Sequence, residues 1–326
     1  MRAVICRQSG GPDSLTVEDV PSRPLAPDQV RIRVRAAGLN FADSLMIAGK
    51  YQVKPEFPFT PGMEVAGEIA EVGAAVTGLK VGQRVMATTR GGGAYAEELV
   101  ALPDAVVPIP DAMDYVTAAA FPVVYGTSHF ALTYRGQLKP GETLLVLGAA
   151  GGVGLTAVEI GKQLGATVIA AAGGADKLKV ARDHGADHTI DYTTESIRDR
   201  VREITQDRGA DVVYDPVGGD AFDQALRAVN WEARMLVIGF ASGRIPAVPA
   251  NIILVKNISV VGVVYGAQAV REPALAKQWL IELTQWWQAG RLKPVIGATF
   301  PLEKAGNALT ALLSRKYPGK IVLTCD

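Results

Sequence analysis

The sequence predicts an α/β protein in which a doubly wound parallel sheet is joined to a mainly β domain built as a partly open barrel. Three observations lead there. Between about Val123 and Val261, short apolar runs of strand length alternate with runs of helix length, and that alternation makes a parallel sheet covered on both faces. The first 120 residues instead carry short Val/Ile-rich runs separated by Gly, Pro and Asp turns, the pattern of a β domain. Third, a glycine-rich turn from Gly148 to Gly154 joins an apolar strand to an amphipathic helix.

In chain order, strands are expected at Met1 to Arg7, Gln29 to Ala36, Glu64 to Val72 and Gln83 to Ala87, with turns such as Gly10-Gly11-Pro12 and Pro61-Gly62 between them. The segment Ala37 to Tyr51 interrupts this β pattern with polar groups among apolar ones, and KPEFPFTPG after it reads as a proline-rich loop. In the middle region Leu144 to Leu147 is a buried strand. Val153, Ala157, Ile160 and Leu164, spaced four, three and four apart, form one helical face. Strand Thr167 to Ala171, a helix from Ala175 to His184 ended by Gly185, and strand His188 to Ile190 follow. Then come a charged helix Glu195 to Gln206, strand Val212 to Tyr214, helix Asp220 to Val229, and strands Met235 to Ile238 and Ile258 to Val264. The tail from Glu272 holds an apolar helix and two short strands around another helix, and it is expected to return to the first domain. Its Trp279, Trp286 and Trp287 read as packing residues. The expected boundaries are 1–123 with 265–326 for the barrel domain and 124–264 for the parallel-sheet domain.

Glycine in the turn Gly148-Ala-Ala-Gly151-Gly152-Val-Gly154 lets the backbone bend sharply and lets a pyrophosphate approach the first amides of the helix, where unpaired N–H groups and the helix dipole favour an anion. A tight connection with no ligand is the competing reading of the turn taken alone. Ligands of such sheets bind beyond the carboxyl ends of the strands, at the switch point. An NAD-preferring site places a carboxylate at the end of the second strand. Here that strand ends Ala170-Ala171-Ala172-Gly173-Gly174. Asp176 lies further on, at a helix start where capping is its ordinary role. Lys177 beside it reaches a 2′-phosphate or stands as a solvated surface lysine, and Tyr192 closes the next strand with a hydroxyl for the same phosphate. NADP(H) is the favoured cofactor.

The bulk composition narrows the partners. Thirty-three basic residues balance thirty-three acidic ones with no Lys/Arg-rich run, so nucleic acid and anionic membranes find no electrostatic footprint. Only Cys6 and Cys325 are present, which argues against a disulfide framework and against a multi-cysteine zinc site. The N-terminal apolar run is too short for a signal peptide, and the most apolar stretch, Asn251 to Ala267, is broken by Lys256 and Asn257. A cytoplasmic location is expected. Of the three histidines, His184 suits a helix C-terminus, His129 packs on a helix, and with His188 they form no relay.

The order of parts, together with NFAD at Asn40 to Asp43, GMEVAG from Gly62, GAAGGVG from Gly148 and VVYDPVG from Val212, resembles the medium-chain dehydrogenase/reductase superfamily, and more narrowly its zinc-free, ζ-crystallin-like quinone oxidoreductase branch. The resemblance spans essentially the whole chain and implies a Rossmann domain and a GroES-like domain. Zinc relatives carry a cysteine in the segment matching Asn40 and a histidine before the glutamate matching Glu64. Asn40 and Met63 replace them, and neither an amide nor a thioether substitutes for a thiolate and an imidazole as zinc ligands. No metal site is therefore expected.

By this resemblance the substrate pocket lies under Asn40, Asp43 and Tyr51. Tyr51 matches the proton donor of related enoyl-thioester reductases, Asn40 orients a carbonyl oxygen, and Asp43 fixes local geometry or a water chain. A structural amide and a turn-capping carboxylate are the competing roles for Asn40 and Asp43. The resemblance puts the cofactor against Thr127, against Gly151, Gly152 and Val153 at the pyrophosphate, and against Gly173, Lys177 and Tyr192 at the 2′-phosphate. Further contacts fall on Phe240, Ser242, Val263, Val264 and Arg315. Many NADPH-using relatives have serine or threonine where Gly174 stands.

Three functions follow: an NADPH:quinone oxidoreductase, first in order; an NADPH-dependent 2-alkenal, enone or enoyl-thioester reductase; and a non-catalytic, crystallin-like NADPH-binding protein. A small-molecule quinone or enone substrate is expected in the first two. The resemblance also implies a homodimer that pairs through the edge strand Ile258 to Val264.

Overall fold

The computed structural model describes residues 1–325. In chain order its elements are β1 (Arg2–Cys6), β2 (Leu15–Asp19), β3 (Val30–Gly38), α1 (Phe41–Ile47), β4 (Glu64–Val72), β5 (Arg84–Thr88), β6 (Glu98–Ala101) and β7 (Val106–Pro108). Next come α2 (Tyr115–Ala119), α3 (Pro122–His129), β8 (Thr143–Leu147), α4 (Gly152–Gln163), β9 (Thr167–Ala172), α5 (Ala175–Asp183), β10 (His188–Asp191), α6 (Ile197–Ile204), β11 (Ala210–Asp215), α7 (Gly219–Leu226) and β12 (Val229–Val237). The rest are α8 (Ala250–Lys256), β13 (Ser259–Gly262), α9 (Tyr265–Arg271), α10 (Pro273–Gln288), β14 (Ile296–Pro301), α11 (Ala305–Leu313) and β15 (Lys320–Thr324). The chain divides into two compact units. One holds Met1–Val123, Gly266–Gln288 and everything described from Pro294 on; the other holds Val124–Tyr265 and Ala289–Lys293.

The first unit is the β domain. Its main sheet runs β14-β15-β3-β4-β5-β7, with β6 added to β3. The nine-residue β3 is the hub: β4 pairs along one edge, while the other edge is shared between β6, opposite Val30 to Arg33, and β15, opposite Ala36 to Gly38. Register shifts at Arg31/Ile32 and Val34/Ala36 bend the ladder, which curves a sheet toward a barrel without closing it. The core collects Val30, Ile32 and Val34 from β3, Val65 and Ile69 from β4, and Leu309 and Leu323 from the tail, all nearly inaccessible to water. The tail therefore completes the sheet that the first hundred residues begin. Ala37 to Tyr51, read above as an interruption, contains α1.

The second unit is a six-stranded parallel sheet in the order β10-β9-β8-β11-β12-β13. The chain leaves β8 toward β9 and β10, then returns to the far side of β8 as β11, so the switch point lies between β8 and β11. Strands β8 and β11 are buried along their whole length, as a sheet covered on both faces requires. Gly185, at φ +106°, ends α5 as expected. Three extents differ from expectation. Ordered pairing confines the last strand to Ser259–Gly262, leaving Ile258 and the Val263-Val264 pair outside it. Strand β12 starts at Val229, because Val229 and Arg234 both pair with β11 around an irregularity. The apolar stretch after Asn251 holds α8, whose Leu254 and Val255 face water. Among the described residues no helix is long and apolar enough to cross a membrane.

Candidate functional site

In the first unit two of the candidate residues lie at the start of α1. Asn40 is the N-cap, in an extended conformation, and Asp43 at the third helical position accepts the Asn40 backbone N–H on Oδ2 at 2.7 Å. The competing turn-capping role of Asp43 is thus present in the geometry. The same oxygen accepts the Tyr95 hydroxyl at 2.6 Å, while Oδ1 is buried without a hydrogen-bond partner. Complete burial pushes the Asp43 carboxyl up to about 7, against the opposing pull of Tyr95, the Asn40 amide and Lys320.

Asn40 is tied into a second buried set. The Lys320 ammonium donates to the Leu39 carbonyl, to Asn40 Oδ1 at 2.8 Å and to Glu64 Oε1 at 2.6 Å. Asn40 Nδ2 donates to the same Glu64 oxygen at 2.8 Å, and Glu64 Oε2 accepts the Val123 N–H at 2.8 Å. An ammonium only donates and a carboxylate only accepts, so the amide orientation is fixed. One N–H of Asn40 is left over. Gly38 makes this possible, since a Cβ there would lie 2.5 Å from Glu64 Oε1 and 2.3 Å from the Ala119 carbonyl. A buried cation neutralises Glu64 where neither Asn40 nor Met63 offers a thiolate or an imidazole, and the described residues contain no group of three or more His, Cys, Asp or Glu placed to hold a metal.

Tyr51 follows α1, its backbone N–H bonded to the Leu45 carbonyl at 3.1 Å. Burial, and then the negative charge of Asp43, raise its phenol above the ordinary value, so Tyr51 stays protonated across the physiological range. Asn40 and Asp43 thus stand at the start of α1, and Tyr51 follows its far end, close enough for the Asp43 charge to act on the phenol. Sequence reasoning used Glu64 only as a motif marker and missed Lys320 and Tyr95, because the partners of these three stand 24, 280 and 52 residues away.

In the second unit the glycine turn opens α4 at the carboxyl end of β8. A Cβ on Gly154 would sit 2.2 Å from the Gly148 carbonyl oxygen, so only glycine permits the turn. Gly151 is the N-cap and has no side chain to occupy the helix end, and Gly152 and Val153 begin the helix. Below the turn, Ser128 Oγ donates to the Val153 carbonyl at 3.0 Å and shares hydrogen bonds with Thr156 Oγ1 and Tyr214 Oη. This staples α3, and Thr127 with it, to the first turn of α4.

Across the switch point Asp215 ends β11. Its Oδ1 accepts the Val217 and Gly218 N–H groups at 2.8 Å each, its Oδ2 is buried and unpartnered, and burial raises the carboxyl to about 6. The loop after β12 is laced to this one by Ala241 N–H to the Pro216 carbonyl and Ser242 N–H to the Val217 carbonyl, which brings Phe240 and Ser242 to the switch point. Val263 is buried just beyond β13, whereas Val264 is 55% exposed. At the end of β9, Tyr192 lies against Gly173, and Lys177 is half-buried in the first turn of α5. Asp176 sits in that first turn too, but the cap is Gly174. Arg315 belongs to the first unit, in a left-handed turn after α11.

His184 does more than meet a helix dipole. It closes α5 as the C-cap, and its Nδ1 lies 2.7 Å from Oε1 of Glu159, a buried carboxylate on α4 that also accepts from the Tyr125 hydroxyl and the Lys293 N–H. His129 is buried, which lowers it to about 4 and keeps it neutral.

Two family models match the chain: the "Alcohol dehydrogenase GroES-like domain" over residues 26–111 and the "Zinc-binding dehydrogenase" over residues 152–279. A quinone oxidoreductase-like protein 2 homolog of Nematostella vectensis is 42% identical over 324 residues, 99% of this chain and 88% of that protein. A quinone oxidoreductase of Pseudomonas aeruginosa is 36% identical, with 96% of each chain covered. The crystal structure of Escherichia coli quinone oxidoreductase complexed with NADPH superposes with a TM-score of 0.94 at 29% identity, covering 100% of both chains. With these matches over both units, the chain belongs to the medium-chain dehydrogenase/reductase superfamily, in its quinone oxidoreductase-like branch.

Proposed function

We propose that this chain is a zinc-independent, NADPH-dependent oxidoreductase of the cytoplasm that transfers hydride to a small-molecule quinone. The observation that carries the reading is the Asn40–Glu64–Lys320 set: a fixed ammonium holds an amide with one N–H to spare at Asn40, the position that by the resemblance carries a zinc ligand in zinc relatives. The glycine turn at the head of α4 fits a dinucleotide, with Gly151 bare at the helix end and the first helical amides unpaired.

The pyrophosphate falls to Gly151, Gly152 and Val153, the nicotinamide end to Thr127, Val263 and Val264, and the 2′-phosphate to Gly173, Lys177 and Tyr192. Phe240, Ser242 and Arg315 complete the cofactor contacts. Bound NADPH supplies the hydride. Everything else is work for this chain's own side chains: the spare Asn40 N–H receives the acceptor oxygen, and Tyr51 Oη donates a hydrogen bond or a proton as charge develops there. Burial, with the Asp43 charge adding to it, keeps the Tyr51 phenol protonated.

Reduction of an enone or enoyl thioester is the second reading, because the same two donors suit an enolate and the exposed Lys50 and Lys54 flank Tyr51. We also infer a homodimer formed through the Ile258 to Val264 segment. Replacing Tyr51 by Phe tests the donor role: quinone turnover is expected to fall at least about 100-fold with little change in NADPH binding. A loss within about threefold excludes it.

A further inference from the structure

The strand that ends at Ala172 carries no acid, yet a carboxylate reaches the same place from its neighbour. Strand β10 lies parallel to β9 with Asp191 opposite Ala172. Asp191 Oδ1 accepts the Gly174 N–H at 3.1 Å, the Thr193 N–H at 3.0 Å and the Thr193 hydroxyl at 2.6 Å. Its Oδ2 makes no hydrogen bond among the described residues. These donors hold the carboxyl below its usual range, Thr193 first, so it is ionised at neutral pH. The same loop lays the Tyr192 ring and the Thr193 methyl against Gly173, within 3.3 and 3.1 Å of where a Cβ would stand. Gly173, Gly174, Asp191 and Tyr192 therefore form one patch beside the first turn of α5.

A nucleotide seated on the glycine turn brings its adenosine ribose to the end of the second strand. On that patch the Gly174 amide is already engaged and glycine adds no hydroxyl, leaving Lys177 and Tyr192 as the donors for a 2′-phosphate. We propose that Asp191 is a cofactor-specificity residue: its fixed negative charge opposes the 2′-phosphate that Lys177 and Tyr192 attract, while its Oδ2 accepts the 2′-hydroxyl of NADH. Asp191 thereby narrows the margin by which this chain prefers NADPH over NADH. The proposal rests on the nucleotide reading above.

The test is direct titration of the full chain and of Asp191→Asn with NADPH, NADH, 2′,5′-ADP and 5′-AMP. Asparagine keeps an acceptor oxygen for Gly174 and Thr193, removes the charge and puts an amide NH2 in place of Oδ2. The expected result is about fivefold tighter binding of NADPH and 2′,5′-ADP, the size of one like-charge interaction near the surface, with NADH and 5′-AMP weaker. The gain should shrink as salt screens it. Asp191→Ser reads the same charge if the Asn variant does not fold. An unchanged NADPH-to-NADH affinity ratio in a folded variant, or an equal shift for both cofactors, overturns the proposal. Failure of the unsubstituted chain to bind either cofactor overturns the nucleotide reading, and this proposal with it.

Discussion

Asp43 sets a pH dependence that runs against that of an ordinary surface carboxylate. Its folded pKa of about 7 lies above the unfolded value of 3.8, so between those two values the native state holds a proton that the unfolded chain has released. The stability it confers is complete below about pH 4, declines as pH rises, and is gone above about 7, with a slope of up to about 1.4 kcal/mol per pH unit. Urea unfolding of the wild type and Asp43→Asn across this window should show the slopes differing in that sense, the variant being flatter. Parallel curves would mean that Asp43 ionises as freely in the fold as outside it. The neighbouring Lys320–Glu64 pair is a different kind of group. Buried ions of this sort are poor sources of net stability, but each leaves an uncompensated charge when its partner is removed. Its value here is the orientation of the Asn40 amide. Asn40, Asp43 and Tyr51 could be named from the sequence because the resemblance supplies them, through NFAD and the GKYQVKP segment. The residues that fix their geometry could not, since β15 reaches β3 only in the folded sheet.

At the scale of elements, the turn between β8 and α4 is the most constrained piece of backbone in the second unit. Because a Cβ at Gly154 would meet the Gly148 carbonyl at 2.2 Å, backbone rather than a side chain would have to yield. Gly154→Ala is therefore expected to weaken NADPH binding by more than about tenfold, from a displaced helix start, while the sheet remains folded. Isothermal titration with circular dichroism distinguishes this from general unfolding, and unaltered affinity would show that the turn tolerates the methyl group. The strand and helix alternation of this unit was legible because fully buried strands such as Leu144 to Leu147 are apolar throughout and the α4 face has helical spacing. The ends of β12 and β13 were not. An irregular ladder and a short edge pairing are decided by neighbours, which apolar runs do not encode.

For the whole molecule, the open edge of the second sheet bears on assembly. Strand β13 has β12 on one side and no strand on the other among the described residues, and Leu254, Val255 and Val264 nearby are 78%, 67% and 55% exposed. Such an edge favours pairing with a second copy. Light scattering at micromolar concentration should give twice the chain mass of 34.4 kDa, and a single-chain mass would exclude the dimer. The two-unit division followed from the contrast between the β-rich first third and the alternating middle. The identity of the acceptor did not, since it depends on pocket shape, which no motif in the sequence encodes. This fold is proposed to reduce an acceptor with NADPH and without a metal. Its most direct test is NADPH oxidation by chelator-dialysed protein across benzoquinones, naphthoquinones, 2-alkenals and crotonyl thioesters. Turnover, strongest with a quinone, is expected to survive chelation and not to increase with added zinc. NADPH that protects the protein from thermal unfolding yet is oxidised with none of these acceptors, or turnover that disappears on chelation and returns with zinc, would contradict it.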